Sequence, residues 1–305
     1  MNTKLERPDE MGQDLEDPEQ VSWVYRSPCY RALNLRFGVR CTDPDAGAYL
    51  DHVLSGLRSD QDQPEVWYSI GRSDVKPERP YSLFFGSELI AQTHSEAFAI
   101  ETLLWHLNAT TIERADPYVV LHAGGVSLDN AGIIISGPSG AGKTTLTAAL
   151  VCAGFSYLTD EALAIDPTTG LLQPYPKALT IQRGSWELLP DLRPPPSDLS
   201  PRTWHVAPED IRPNAVAGPA TPTVVLLPIR ERLGKGGDAA GMAEVKRSEA
   251  ALQLVQHRFG LSSSATQALP VLADVLARCA CFRLSTIDLG RAVQSVRELM
   301  QRSVA

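Results

Sequence analysis

The chain has 305 residues, 43% of them hydrophobic and 21% charged, which is the balance of a globular protein with ample length for one large core or two. Its net charge is −8, and the first twenty residues supply −5 of it (seven acids against two bases), so the near-neutral body offers no basic face for nucleic acid. No apolar run approaches the roughly 18 residues of a membrane span, the opening MNTKLERPDEMGQDLEDPEQ is polar and acidic, and the five cysteines are odd in number and scattered. A signal peptide, a membrane partner and a disulfide framework are therefore not expected, and a reducing cytoplasm is.

Residues 1–20 read as a disordered acidic tail. Residues 21–115 read as a small α+β unit, with strands at LNLRFGVRC, EVWYSIGR and YSLFFGSELIAQT, a helix at AGAYLDHVLSGL, and a closing helix SEAFAIETLLWHLNATTIERA capped by Ser95. Residues 116–305 form the expected second domain. YVVLHAGGVSL is a strand that turns at DNAG into the β-branched run GIIIS, and a helix TTLTAALVCAG follows a glycine loop. FSYLTDEALAID is then an extended stretch ending in a second turn, DPTTG. Residues 190–222 hold nine of the 23 prolines and read as a lid, a docking loop or a disordered linker. TVVLLPI returns as a strand, GKGGDAAG is a loop, and helices near 247–259, 265–278 and 289–302 surround a strand CFRLSTI. Cys279 and Cys281 have no metal-ligand partners in sequence and read as core residues.

The loop GPSGAGKTTL spells G-x-x-x-x-G-K-[ST] through Gly137, Gly142, Lys143 and Thr144. Chance alone would put that pattern in about 1% of chains of this length, before a strand ahead of it and a helix behind it are required. Glycines let the backbone curl so that N–H groups converge on phosphate oxygens, and the helix N-terminus adds its dipole. Gly137, Pro138, Ser139, Gly140, Ala141 and Gly142, with Lys143, Thr144 and Thr145 at the helix start, are the expected nucleotide-binding segment. Lys143 reaches the β- and γ-phosphates and the Thr144 hydroxyl ligates Mg²⁺ in that pattern.

The loop is fed by a hairpin, whereas the doubly wound arrangement feeds it from a strand preceded by a helix. Only a short helix then separates Lys143 from Asp160 and Glu161, which stand 17 and 18 residues downstream. An adjacent acid pair can divide two tasks, orienting Mg²⁺ and taking a proton from an acceptor hydroxyl. It can equally be two solvated turn residues. His122, 21 residues before Lys143, is either a satisfied core histidine or a member of the site. Lys177, Arg183 and Arg230 stand between charge stabilisation and surface salt links.

His122, the hairpin, the loop with Lys143, one short helix and then Asp160 together resemble the catalytic core of the HPr kinase/phosphorylase family, and more specifically its HPr kinase-related kinases. The likeness covers about 70 residues near 118–190, running through LHAGGVSLDNAGIIISGPSGAGKTTLTAALVCAGFSYLTDEALAID, with YPKALTIQRGSWELL as a plausible continuation. It implies an α/β fold whose mixed-sheet P-loop core is shared with phosphoenolpyruvate carboxykinases. It implies ATP and Mg²⁺ as cofactors, Lys143 and Thr144 on phosphates and metal, Asp160 as the base toward an acceptor serine and also at the metal, Glu161 as its neighbour at the metal, and His122 beside the site. Self-association is also implied. The sequence departs from the family at Thr145, where an acid is usual, at Asp-Glu in place of Asp-Asp, and in lacking a signature for the HPr protein.

The expected function is a Mg·ATP-dependent kinase transferring the γ-phosphate to a serine-type hydroxyl of a peptide, protein or small metabolite. The alternatives are a nucleotide-dependent binding or switch protein with little turnover, and a carboxykinase-like enzyme.

Overall fold

A computed structural model describes residues 18–19, 21–60, 62–73, 77–194, 203–231, 241–259 and 265–304. The stretch expected as an acidic tail lies outside these residues except for Pro18 and Glu19, and so does GKGGDAAG up to its last glycine. The protein is mixed α/β, and the chain divides into two compact units. One takes the residues up to Arg31 with Arg36–His52 and Ser59–Leu107; the other takes Ala32–Leu35, Val53–Arg58 and everything from Asn108 onward.

In the first unit the strands are β1 (Tyr25–Arg26), β2 (Tyr30–Ala32), β3 (Leu35–Cys41), β4 (Val66–Arg72), β5 (Tyr81–Phe85) and β6 (Glu88–Thr93). They form a sheet in the order β1-β3-β4-β5-β6, with β2 beside β3, accompanied by helices α1 (Pro44–Val53) and α2 (Glu96–Glu113). The β4–β5–β6 stretch is antiparallel. Its core is aromatic: Phe37 packs between Tyr30 and Tyr68 at centroid separations of 5.4 and 5.7 Å, and the Tyr68 hydroxyl pairs with His106 Nδ1 at 2.8 Å. Glu19 and the indole of Trp23 cover the buried Arg40 guanidinium.

The second unit is built on a sheet of eight strands: β7 (Val119–Leu128), β8 (Ala131–Ser136), β9 (Ser156–Thr159), β10 (Ala162–Ile165), β11 (Leu172–Gln173), β14 (Thr221–Ile229), β15 (Met242–Glu244) and β16 (Ala280–Ser285). A separate ribbon pairs β12 (Leu179–Gln182) with β13 (Thr203–Val206). The helices are α3 (Lys143–Cys152), α4 (Pro208–Ile211), α5 (Arg247–Gln256), α6 (Ala265–Arg278) and α7 (Leu289–Val304). Strand order is β11-β10-β7-β8-β14-β16-β15, with β9 also on β7. The centre, β8-β14-β16, is parallel; β7, β10 and β15 run against their neighbours.

Residue alternation explains the layering. Ile133, Ile135, Val224, Leu226 and Leu284 face one core with α3 and α7, whereas Ile134, Val225, Leu227 and Cys281 face the other with α5 and α6. A strand buried on both faces has no polar side to show, which is why GIIIS and TVVLLPI read as unbroken apolar runs. In α7 the buried positions Ala292, Val296 and Met300 recur every fourth residue, and Arg297 and Glu298 lie outside. Cys279 and Cys281 are buried free thiols in the second core, while Cys152 is exposed.

The hairpin β7–β8 turns at Asp129 and Asn130, both at positive φ (49° and 65°), the geometry of a type I′ turn. The proline-rich stretch 190–222 is not plain loop among its described residues. It contributes β13, which covers the outer edge of β12, and the short helix α4, whose Asp210 carboxylate accepts the Ala207 N–H at 3.1 Å. Among the described residues, no helix is long and apolar enough to cross a membrane.

Candidate active site

Three parallel strands end on one side of the sheet, and a cavity of about 360 Å³ opens there. That is where a parallel sheet places a ligand, because the crevice lies outside the carboxyl ends of the strands. The loop after β8 supplies Ser139, Gly140, Gly142, Lys143, Thr144 and Thr145; the end of β14 supplies Arg230; the end of β16 supplies Thr286 and then Leu289. Asp160 and Glu161 come from the bend between β9 and β10, and His122 from β7. Thr180, Gln182, Gly184, Ser185 and Leu188 form the remaining wall.

The loop's shape follows from its glycines. Gly140 and Gly142 sit at φ +80° and +92°, where a Cβ is strained, and Gly142 caps α3 with its backbone alone. Gly137 and Pro138 lie at the loop's base and Ala141 is buried, its N–H donating to the Pro138 carbonyl at 3.2 Å. α3 is short because it ends in a Schellman turn: Gly154, at φ +100°, donates to Val151 and Phe155 donates to Leu150.

Lys143 is buried at the start of α3 and folds back on the loop, its Nζ donating to the carbonyls of Gly137 (2.8 Å) and Pro138 (3.3 Å). An ammonium has three donors, so one remains for a ligand. Burial lowers the Lys143 pKa, and the nearby Glu161 opposes that shift. The Thr145 hydroxyl is tied to Ser185 Oγ at 2.7 Å, linking the helix start to the wall opposite.

Asp160 is the most heavily held of the acids. Its Oδ1 accepts from the Tyr157 hydroxyl at 3.0 Å and from Lys177 Nζ at 3.1 Å, and its Oδ2 accepts from the Thr180 N–H at 3.3 Å. Tyr157 is fully buried, and burial together with the Asp160 charge raises its pKa far above the ordinary tyrosine value, so it stays a donor. Lys177 also reaches Glu161 Oε2 at 3.3 Å. Burial alone would depress the Lys177 pKa, but the two carboxylates outweigh it and hold the ammonium above the ordinary lysine value. Glu161 is the open member of the pair, its side chain 37% exposed against 3% for Asp160.

His122 is half-buried, and its ring meets Phe259 edge-on at 5.4 Å. Its Nδ1 is buried without a hydrogen-bond partner among the described residues, and the backbone N–H of His122 donates to the His257 carbonyl at 2.6 Å. Burial lowers the His122 pKa, with Lys143 acting the same way and Glu161 against. His257 behaves alike, lowered by burial and by Lys143, and its Nδ1 lies 3.5 Å from Ser136 Oγ.

Of the residues expected at the site from the sequence, His122, Ser139, Gly140, Gly142, Lys143, Thr144, Thr145, Asp160 and Glu161 line this one cavity, whereas Gly137, Pro138 and Ala141 do not. Of the three undecided cations, Arg230 lines it and makes no ion pair among the described residues, Lys177 stands behind the acids, and Arg183 lies over Trp186 at 6.0 Å. The sequence reading missed Tyr157, Thr180, Gln182, Ser185, Leu188, Thr286, Leu289 and His257. Thr286 could have been found from its place just past a parallel strand; its N–H and hydroxyl both donate to the Ile229 carbonyl. The others come from elements whose approach to the loop no local pattern announces.

The donor set suits a polyanion and a hard cation rather than a resident metal. Lys143 and the glycine loop at the N-terminus of α3 could hold an anion, while Thr144 and Glu161 offer oxygens for a cation that brings its own water and phosphate ligands. No cluster of three His, Cys, Asp or Glu side chains fit to hold a metal by itself occurs among the described residues.

No protein-family model and no curated protein matches the sequence. Among solved structures there is a distant likeness to the Hpr(Ser) kinase/phosphatase from Coxiella burnetii, with 13% identity over 60% of this chain and 98% of that one, at a TM-score of 0.32. A likeness of that size carries no functional inference, and the chemistry of the site has to be argued from the site.

Proposed function

We propose that the protein is a Mg·ATP-dependent phosphotransferase that moves the γ-phosphate to a hydroxyl acceptor. The observation that supports this reading most is that Lys143, at the N-terminus of α3, and the acids Asp160 and Glu161 line one cavity, so phosphate-binding and proton-accepting groups meet in one place.

In this reading the N–H groups from Ser139 to Thr144 and the Lys143 ammonium hold the β- and γ-phosphates, with the helix dipole adding to the attraction. Thr144 and Glu161 would hold Mg²⁺, whose contribution is to neutralise charge on the phosphate oxygens. Asp160 takes the acceptor's proton. Its Oδ1 is committed to Lys177 and Tyr157, and Oδ2, with one long backbone donor among the described residues, has a lone pair left for that hydroxyl. The acceptor oxygen forms a bond to the γ-phosphorus, the bond to the bridging oxygen breaks, and ADP leaves with that electron pair. A loose transition state in which the proton moves late asks little of that base. Arg230 reaches the cavity from the end of β14 and supplies positive charge to the transferring group, and His122 stays neutral beside Lys143.

The test is γ-labelled ATP with Mg²⁺, the purified protein and a lysate of its own cells, separated afterwards into protein, peptide and small-molecule fractions. Label entering one fraction with the natural chain, and not with Lys143→Ala or Asp160→Asn, is the expected result. ATP binding that depends on Lys143 without transfer into any fraction would refute the phosphotransferase and leave a nucleotide-dependent switch.

A further inference from the structure

Lys177 does not line the cavity, yet it touches both acids that do. Its Nζ lies 3.1 Å from Asp160 Oδ1 and 3.3 Å from Glu161 Oε2, and it donates in addition to the Ala178 carbonyl at 3.3 Å. Its side chain is only 12% exposed. Behind it, the Tyr157 hydroxyl lies within hydrogen-bond reach of both Asp160 Oδ1 and the Lys177 carbonyl, so backbone and carboxylate are fixed from one point. The two ends of this bridge are unequal. Asp160 is buried and accepts from three donors, whereas Glu161 is over a third exposed and has Lys177 as its ion-pair partner.

We propose that Lys177 is a positioning residue shared by the two acids: it anchors Asp160 permanently and holds Glu161 against the cavity wall until a divalent cation takes that carboxylate from it. The inference rests on the phosphotransferase reading and adds a role for a residue outside the cavity. The asymmetry of the bridge supplies the physical reason. A buried carboxylate cannot give up its counter-ion cheaply, while a half-exposed one exchanges a single cation contact for another at small cost.

ATP affinity measured by calorimetry, first in EDTA and then over a Mg²⁺ titration, tests this without any acceptor. Removing the lysine charge should make Glu161 easier for Mg²⁺ to claim. In Lys177→Met the Mg²⁺ concentration giving half of the affinity gain should fall about three- to tenfold, with ATP affinity in EDTA unchanged. Lys177→Arg should stay within about twofold of the natural chain, because a second cation can make the same bridge. A lysine that merely supports the fold would shift ATP affinity in EDTA as well. If Lys177→Met does not fold, Lys177→Met with Asp160→Asn, uncharged at both buried positions, carries the same expectation. An unchanged or raised Mg²⁺ requirement in the folded variant overturns the proposal, and so does failure of the double variant to fold, since a bridge that acts through its charges leaves nothing uncompensated once both buried positions are neutral. ATP affinity indifferent to Mg²⁺ in the natural chain, or unaffected by Lys143→Ala, would instead remove the reading of the site itself.

Discussion

Lys177→Met should destabilise the second unit strongly, and Asp160→Asn placed on top of it should restore most of the loss. The two charges are 3.1 Å apart, with side-chain exposures of 12% and 3%. At an effective dielectric of about 20 their attraction is about 5 kcal/mol, most of it spent on taking both charges out of water. Removing only the lysine forfeits the attraction and leaves the desolvation, which for buried pairs costs about 3–5 kcal/mol. Asp160 keeps the Tyr157 hydroxyl and the Thr180 N–H as donors, so the lower end, about 3 kcal/mol, is expected. For a unit of this size each kcal/mol moves the melting midpoint by about 2–4 °C, giving a fall of about 6–12 °C. The double variant has no uncompensated charge at either buried position and should melt within about 3 °C of the natural chain, an interaction energy of about 2–3 kcal/mol in the cycle. Thermal unfolding of the four proteins at one pH and salt concentration measures it. A fall under about 2 °C for Lys177→Met, or additive losses in the double variant, would refute the claim that the pair is coupled and shielded from water.

The remaining predictions concern the frame around the site. A Cβ at Gly124 would lie 2.4 Å from Thr147 Oγ1 on α3, so Gly124→Ala should cost about 1–3 kcal/mol by melting and weaken ATP binding by displacing the helix that carries Lys143; Thr147→Ala should rescue both. Burial and Lys143 lower the pKa of His122 and His257 below the ordinary histidine value near 6.5, so the unfolded chain takes up protons first as pH falls. Stability should therefore be fully present above about pH 6.5 and decline below it, by up to about 1.4 kcal/mol per pH unit for each histidine, and His122→Asn with His257→Asn should flatten the melting curve between pH 6.5 and 5.5. Arg230→Ala should lower phosphate transfer about 10- to 100-fold in the labelling assay and leave ATP affinity within about threefold, because an exposed cation at the strand end acts on charge that develops during transfer; equal losses in both would mark it as a ground-state contact.

The parts of this molecule legible in the sequence are those whose cause is local. Asp129 and Asn130 define the hairpin turn, the run IIIS can only be a strand buried on both faces, and glycines at 140, 142 and 154 both open and close α3. The adjacent acids showed themselves by falling between two apolar stretches, where the chain bends from β9 to β10. What stayed hidden was whatever depends on distant pairing. β12 and β13 are joined across a stretch dominated by prolines, which conceals that Thr203–Val206 is extended and paired. His257 comes to Ser136 from 121 residues away, carried by a helix on the far face of the sheet.

Lys177 shows why such residues matter more than their visibility suggests. In the sequence it was one of three cations with equal claims, since PYPKAL has no periodicity that points a side chain anywhere. Its position is decided by two contacts that neither neighbour predicts: the Tyr175 N–H donates to the Leu158 carbonyl at 2.9 Å, and the Ala178 N–H to the Val53 carbonyl at 3.3 Å. Those bonds draw the chain past the β9–β10 bend, so the ammonium lands between two carboxylates that the loop sequence alone had marked as interesting. An acid pair next to a phosphate loop is a common arrangement of residue types. An acid pair unequally shared by one buried lysine is a specific one, because it makes one carboxylate rigid and leaves the other to respond. On the proposed reading, the division of tasks between Asp160 and Glu161 would come from a residue outside the cavity, and the Mg²⁺ titration of Lys177→Met reads that division directly.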